Sequence, residues 1–148
     1  MIQHLLSSSW IGHPNTFGKA LEKSDDIRMS IDTIDAAILA HRAWVARFQT
    51  ALQGINGEIF NLTQTGDDRS CDLGRWLNSE SASQLLGDEA WHRITALHQT
   101  FHEIAAGLAA NLNVDRTSSE NQQLLAACND ISKQLVELLL IAKKRLQA

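Results

Sequence analysis

Tyrosine is absent from this chain of 148 residues, proline occurs once, and glycine occurs eight times. So few breakers leave an all-helical chain as the natural reading. Cysteine is scarce too: Cys71 and Cys128 stand far apart, which excludes the disulfide framework of a small secreted domain and points to a reducing, cytoplasmic compartment. Lysine and arginine number 13 against 17 acids, for a formal charge of −4, and no basic stripe is present to neutralise phosphates, so nucleic-acid binding is disfavoured. The longest apolar runs, such as Leu138 to Ala142, fall well short of the roughly 20 residues that span a bilayer. The opening residues also lack the basic and apolar regions of a signal peptide. What remains is an ordinary soluble composition, 44% hydrophobic and 20% charged, long enough for one domain with its own core.

Residues 1–23 show no sustained period and hold Ser7, Ser8, Ser9, Gly12, Pro14 and Gly18, so they read as a flexible lead or a short docking segment, in which Trp10 and Phe17 are the candidates to dock. From Ser24, a plausible N-cap followed by Asp25 and Asp26, apolar residues recur at Ile27, Ile31, Ile34, Ile38, Val45, Phe48 and Leu52. His41 fills the gap in that seam. Gly54 and Gly57 end the helix, and residues 55–70 read as an irregular connection. Cys71 opens a short helical turn. Asp88 caps a second long helix with the seam Trp91, Ile94, His98, Phe101, Ala105, Leu108 and Leu112. Asn113 to Thr117 form a tight connection, and Ser118 or Ser119 caps a last helix whose seam is Leu124, Cys128, Ile131, Leu135, Leu138 and Ala142. Three long helices and one short one predict an antiparallel four-helix bundle over residues 24–148.

Two histidines therefore stand at packing positions, where a bare imidazole needs a partner. His98 and His102 have the HxxxH spacing that places both rings on one helical face, Cβ atoms about 5–6 Å apart. Each histidine taken alone is more often a satisfied core or surface residue than a ligand. Together, His41, Cys71, His98 and His102 make a candidate donor set for a metal, with zinc favoured because a thiolate disfavours magnesium and calcium. Four such ligands would suit a closed structural or regulatory site better than a catalytic one. Cys128 is the rival thiol, though on a helix seam a free cysteine behaves as a small hydrophobe. Trp44 and Trp76 can shield the site or simply pack the bundle. Asp35, Asp72 and Glu103 are candidates to orient a ligand imidazole, and His4, His13 and His92 read as solvent-facing.

The stretches His41-Arg42-Ala43-Trp44, Cys71-Asp72-Leu73-Gly74-Arg75-Trp76 and His98-Gln99-Thr100-Phe101-His102 resemble, in order, the HxxW, CxLGxW and HxxxH motifs of the bacterial chemoreceptor zinc-binding domain. The likeness extends over about residues 25–147. It implies a four-helix bundle that binds zinc through His41, Cys71, His98 and His102, commonly as a homodimer, and acts as a cytoplasmic sensor attached to a chemoreceptor or a diguanylate cyclase. It further implies that zinc is sensed and that, in some members, the zinc-bound cysteine answers oxidants such as hypochlorous acid. With no room here for a receptor hairpin or a cyclase domain, the expectation is a module acting in trans or one excised from a longer protein. No enzymatic role is expected. The alternatives are a plain helical interaction module and, less favoured, a metal hydrolase using only the three histidines, for which no acid stands at a general-base spacing.

Overall fold

The computed structural model describes the backbone of residues 15–148 and the side chains from residue 22 onward. Most of the expected lead, with His4, Trp10 and His13, lies outside the described residues, as does the Phe17 side chain. Within them the chain is all-helical, with six helices and no strand. These are α1 (Asn15–Leu52), α2 (Leu62–Gly66), α3 (Asp72–Leu77), α4 (Glu80–Leu86), α5 (Asp88–Val114) and α6 (Glu120–Gln147). None is long and apolar enough to cross a membrane.

The first helix starts at Asn15, well before the Ser24 cap read from the sequence. With Pro14 just outside and no proline inside, nothing in the intervening residues forbids helical backbone. It stops where expected: Gly54 and Gly57 take φ of +73° and +63°, the left-handed region that a glycine enters without a Cβ penalty. The supposedly irregular connection contains α2, whose cap is Asn61 with its side chain accepting from the Gln64 N–H. A further short helix, α4, is capped in the same way by Ser79. One short helix was expected and three are present, because single-turn helices carry caps but no apolar period. The last two helices follow the sequence reading closely, although Gly87 rather than Asp88 caps α5 and that helix runs on through Asn113 to Val114.

Helix directions follow from contacts near their ends. Arg116, in the turn between α5 and α6, donates to the Leu52 carbonyl at 3.5 Å, so α1 and α5 finish at the same end. Lys143 pairs with Asp35 at 2.8 Å, which sets α6 antiparallel to α1. Helix α6 packs against both α1 and α5, and α2 and α4 pack on α5.

The buried apolar residues fall into two groups. Around Ile34, Ile38, Leu73, Leu77, Ile94, Leu135 and Leu139 lies one core. Phe48, Phe60, Phe101, Leu108, Leu112 and Cys128 form the other. Cys128 is fully buried there, its thiol pushed up to about 12 by burial, as a seam cysteine acting as a hydrophobe should be.

Asn113 fastens the second core. Its amide oxygen accepts from the Phe60 N–H at 2.8 Å and its nitrogen donates to the Phe60 carbonyl at 3.0 Å. Replacing Asn113 with alanine removes both partners of a half-buried backbone segment and should lower stability by about 1–3 kcal/mol. Urea unfolding would register this as a lower midpoint at unchanged slope.

Candidate metal centre

Between the two apolar cores the helices deliver four polar side chains to one place. His41 comes from the middle of α1, His98 and His102 from successive turns of α5, and Cys71 from the residue that caps α3. The three histidines are buried at 3%, 1% and 3% exposure, and Cys71 is half-buried. One ligand atom from each lies within 4.8 Å of all the others. The His98 Nε2 stands 3.1 Å from Cys71 Sγ and 3.1 Å from His102 Nε2. Donor atoms around a tetrahedral zinc are separated by about 3.3–3.8 Å, given bonds of about 2.0–2.3 Å, so the set is near the size such an ion needs.

Two of the rings are already oriented. The His41 Nδ1–H donates to the Ala37 carbonyl at 2.7 Å and the His102 Nδ1–H to the Thr65 carbonyl at 2.8 Å. A carbonyl can only accept, so in the neutral form of each ring the lone pair lies on Nε2. The His41 Nε2 is buried with no hydrogen-bond partner among the described residues. Leaving such a group unmet costs about 1–3 kcal/mol, and an ion in the middle of the quartet would meet it. Donor types, spacing and this orphaned nitrogen all fit zinc.

The orienting groups are backbone carbonyls, and the carboxylates considered from sequence are engaged elsewhere. Asp35 pairs with Lys143, Asp72 pairs with Arg75, and Glu103 is exposed. Thr65 belongs to α2, the helix that reads as a loop in sequence; the Asn61–Gln64 cap was the available signal. Trp44 stacks on Phe48 at 5.6 Å under the Arg47 guanidinium. Trp76 donates to the buried Ser30 hydroxyl at 3.0 Å. The ring against the histidines is instead Phe101, edge-on to His41 at 4.9 Å and to His102 at 5.6 Å. His92 is exposed, as expected.

Cys71 has a second task. As the cap of α3, its sulfur accepts from the Gly74 N–H at 3.3 Å. A Cβ at Gly74 would lie 1.7 Å from the Asp68 carbonyl oxygen, which explains a glycine three residues after the cysteine by backbone contact alone.

Burial governs the charge states. It holds His41 down to about 4, against a partial rise from the Ala37 carbonyl and with a further lowering from His102. Burial likewise holds His98 down to about 3, helped by His102 and His41. The Cys71 thiol is raised, first by burial and then by Asp68 and Asp72, with the Gly74 and Leu73 N–H groups opposing. Neutral imidazoles are ready to ligate, whereas the thiol must lose a proton to do so.

A helical fold carrying a buried cluster of three histidines and a cysteine defines a candidate metal-binding domain. Residues 41–109 match the family model of the chemoreceptor zinc-binding domain, so this segment is similar to a family of zinc-binding domains. All four clustered residues fall inside it. The match covers just under half of the chain and omits the first half of α1 and all of α6, a narrower span than the motif resemblance. Zinc is thus the cofactor to which both family and donor set point. No curated protein and no solved structure matches the chain.

Two outcomes follow. In the metal-free protein the unfolded histidines bind protons near pH 6.5 while His41 and His98 resist to about 4 and 3. Stability is therefore complete above pH 6.5 and declines as pH falls below it, by at most about 1.4 kcal/mol per unit for each histidine. Melting temperatures of the metal-free protein between pH 7.5 and 4.5 should show that slope; a flat profile contradicts it. Separately, Gly74→Ala should shift the chain at Asp68 and with it Cys71, reducing metal uptake far more than Gly107→Ala, whose added Cβ meets open space.

Proposed function

We propose that this protein is a zinc-dependent sensory module of bacterial signal transduction, with His41, Cys71, His98 and His102 as the four zinc ligands. The single observation that carries the assignment is the convergence of four ligand atoms within 4.8 Å around a buried His41 Nε2 that has no partner among the described residues. Three nitrogens and a sulfur fill a tetrahedron. That leaves no open position for a substrate or an activated water, which favours regulation over hydrolysis. When bound, the ion supplies a cross-link between α1, α3 and α5. In the proposed arrangement α2, α3 and α4 together serve as the fourth member of an antiparallel four-helix bundle spanning residues 24–148, and residues 1–23 form a lead outside it.

The module works, in this reading, in the cytoplasm as a homodimer, biasing an effector such as a chemoreceptor or diguanylate cyclase domain in cis or in trans. The stimulus is zinc itself or an oxidant acting on Cys71. Half-burial leaves the Cys71 sulfur more accessible than the enclosed Cys128. A thiolate attacked by hypochlorous acid takes up the oxygen as sulfenic acid and releases chloride, weakening its hold on the ion.

Purified protein should contain one zinc per chain by elemental analysis, and the cobalt-substituted form should show a strong thiolate charge-transfer band that Cys71→Ser abolishes and Cys128→Ser retains. His98→Ala should lose zinc. An unchanged melting temperature on chelation, with no zinc in the untreated protein, refutes the assignment.

A further inference from the structure

Two of the three histidines have a carbonyl behind them, and the third does not. Both hydrogen bonds of His98 use Nε2, so among the described residues its Nδ1 has no partner comparable to Ala37 or Thr65. Yet His98 is the central ring, in contact with both Cys71 and His102. An imidazole that ligates through Nε2 needs its Nδ1 proton held to fix tautomer and ring angle.

One turn before His98 on α5, Thr95 presents a hydroxyl that is buried and has no hydrogen-bond partner among the described residues. In a helix a threonine hydroxyl ordinarily turns back to a carbonyl of the preceding turn. The Thr95 hydroxyl does not. Thr95 and His98 both line a small cavity of about 30 Å³, together with Asp68, Arg69, Gly74, Leu77, Asn78 and Gln99. A water needs about 10–15 Å³ of such space and two to four polar neighbours. This cavity provides the room, is lined by both Thr95 and His98, and has Asp68, Arg69, Asn78 and Gln99 as further polar neighbours. Of the quartet, His98 lines it and His41, Cys71 and His102 do not.

We propose that one ordered water in this cavity joins Thr95 Oγ1 to His98 Nδ1, making Thr95 the positioning residue for the central histidine. The water accepts from the His98 Nδ1–H and donates to the Thr95 oxygen, so His98 gains by a bridge what His41 and His102 gain directly. The proposal rests on the zinc reading, because it is as a ligand that His98 needs a fixed tautomer. Thr95 itself touches no ion.

The test compares Thr95→Val, which removes the hydroxyl while keeping the branched shape, with Thr95→Ser, which keeps the hydroxyl. Zinc affinity by competition with a chromophoric chelator should fall about 10–100-fold in Thr95→Val and stay at the wild-type value in Thr95→Ser. In the zinc-loaded proteins the His98 Nδ1–H should exchange slowly with solvent in wild type and Thr95→Ser and clearly faster in Thr95→Val, as read from proton–nitrogen spectra. The melting temperature of metal-free Thr95→Val should not fall, since a buried hydroxyl with no protein partner has been removed. Wild-type affinity and an unchanged His98 Nδ1–H exchange rate in Thr95→Val overturn the bridge while leaving the zinc reading intact. Equal weakening in both variants, with lower metal-free melting temperatures, overturns it in favour of packing. Failure of the wild-type protein to take up zinc overturns both readings.

Discussion

The whole arrangement depends on a layer of imidazoles placed where a helical protein would otherwise have hydrocarbon. Below that layer Ile34, Ile38, Ile94 and Leu135 close one core; above it Phe48, Phe101, Leu108 and Cys128 close another. An apolar contact needs only proximity, but an imidazole needs direction. Direction is supplied from the backbone, through the Ala37 carbonyl within α1 and the Thr65 carbonyl of α2. Backbone groups are harder to lose than side chains, because any residue at those positions provides one. The site is thus anchored to the path of the chain itself.

Cys71 differs from the histidines in kind. They project from the middle of long helices whose packing holds them, whereas it begins a helix of only six residues. Its sulfur is both donor to the site and cap to that helix, and the tight approach of Gly74 to Asp68 leaves no slack between the two. The centre is therefore divided by element: α1 and α5 carry the three imidazoles, and the cap of α3 carries the thiol.

The long helices were legible because their apolar period persists over many turns, and the two histidines in those seams were visible as interruptions of it. Cys128 was legible as core for the same reason. Short elements were harder. Helices α2 and α4 bury little and announce themselves only by Asn61 and Ser79, residues equally common in loops. With α2 hidden, the Thr65 carbonyl could not be found, and the orienting role fell to acids that in fact face Lys143, Arg75 or solvent. The start of α1 was misplaced because Gly18 and Ser24 interrupt the short apolar run of Phe17, Ala20 and Leu21 before Ile27, even though the backbone there is helical. Carbonyl partners in general leave no mark in a sequence, since every residue has one.

Trp76 carries the last consequence. Its backbone lies in α3, just after the sulfur, while its indole is tethered to Ser30 in a buried part of α1. A shift of α3 must either break that tether or drag Ser30 with it. The indole is in effect a lever arm: any movement of α3 is handed to α1 at Ser30, on the same helix that carries His41.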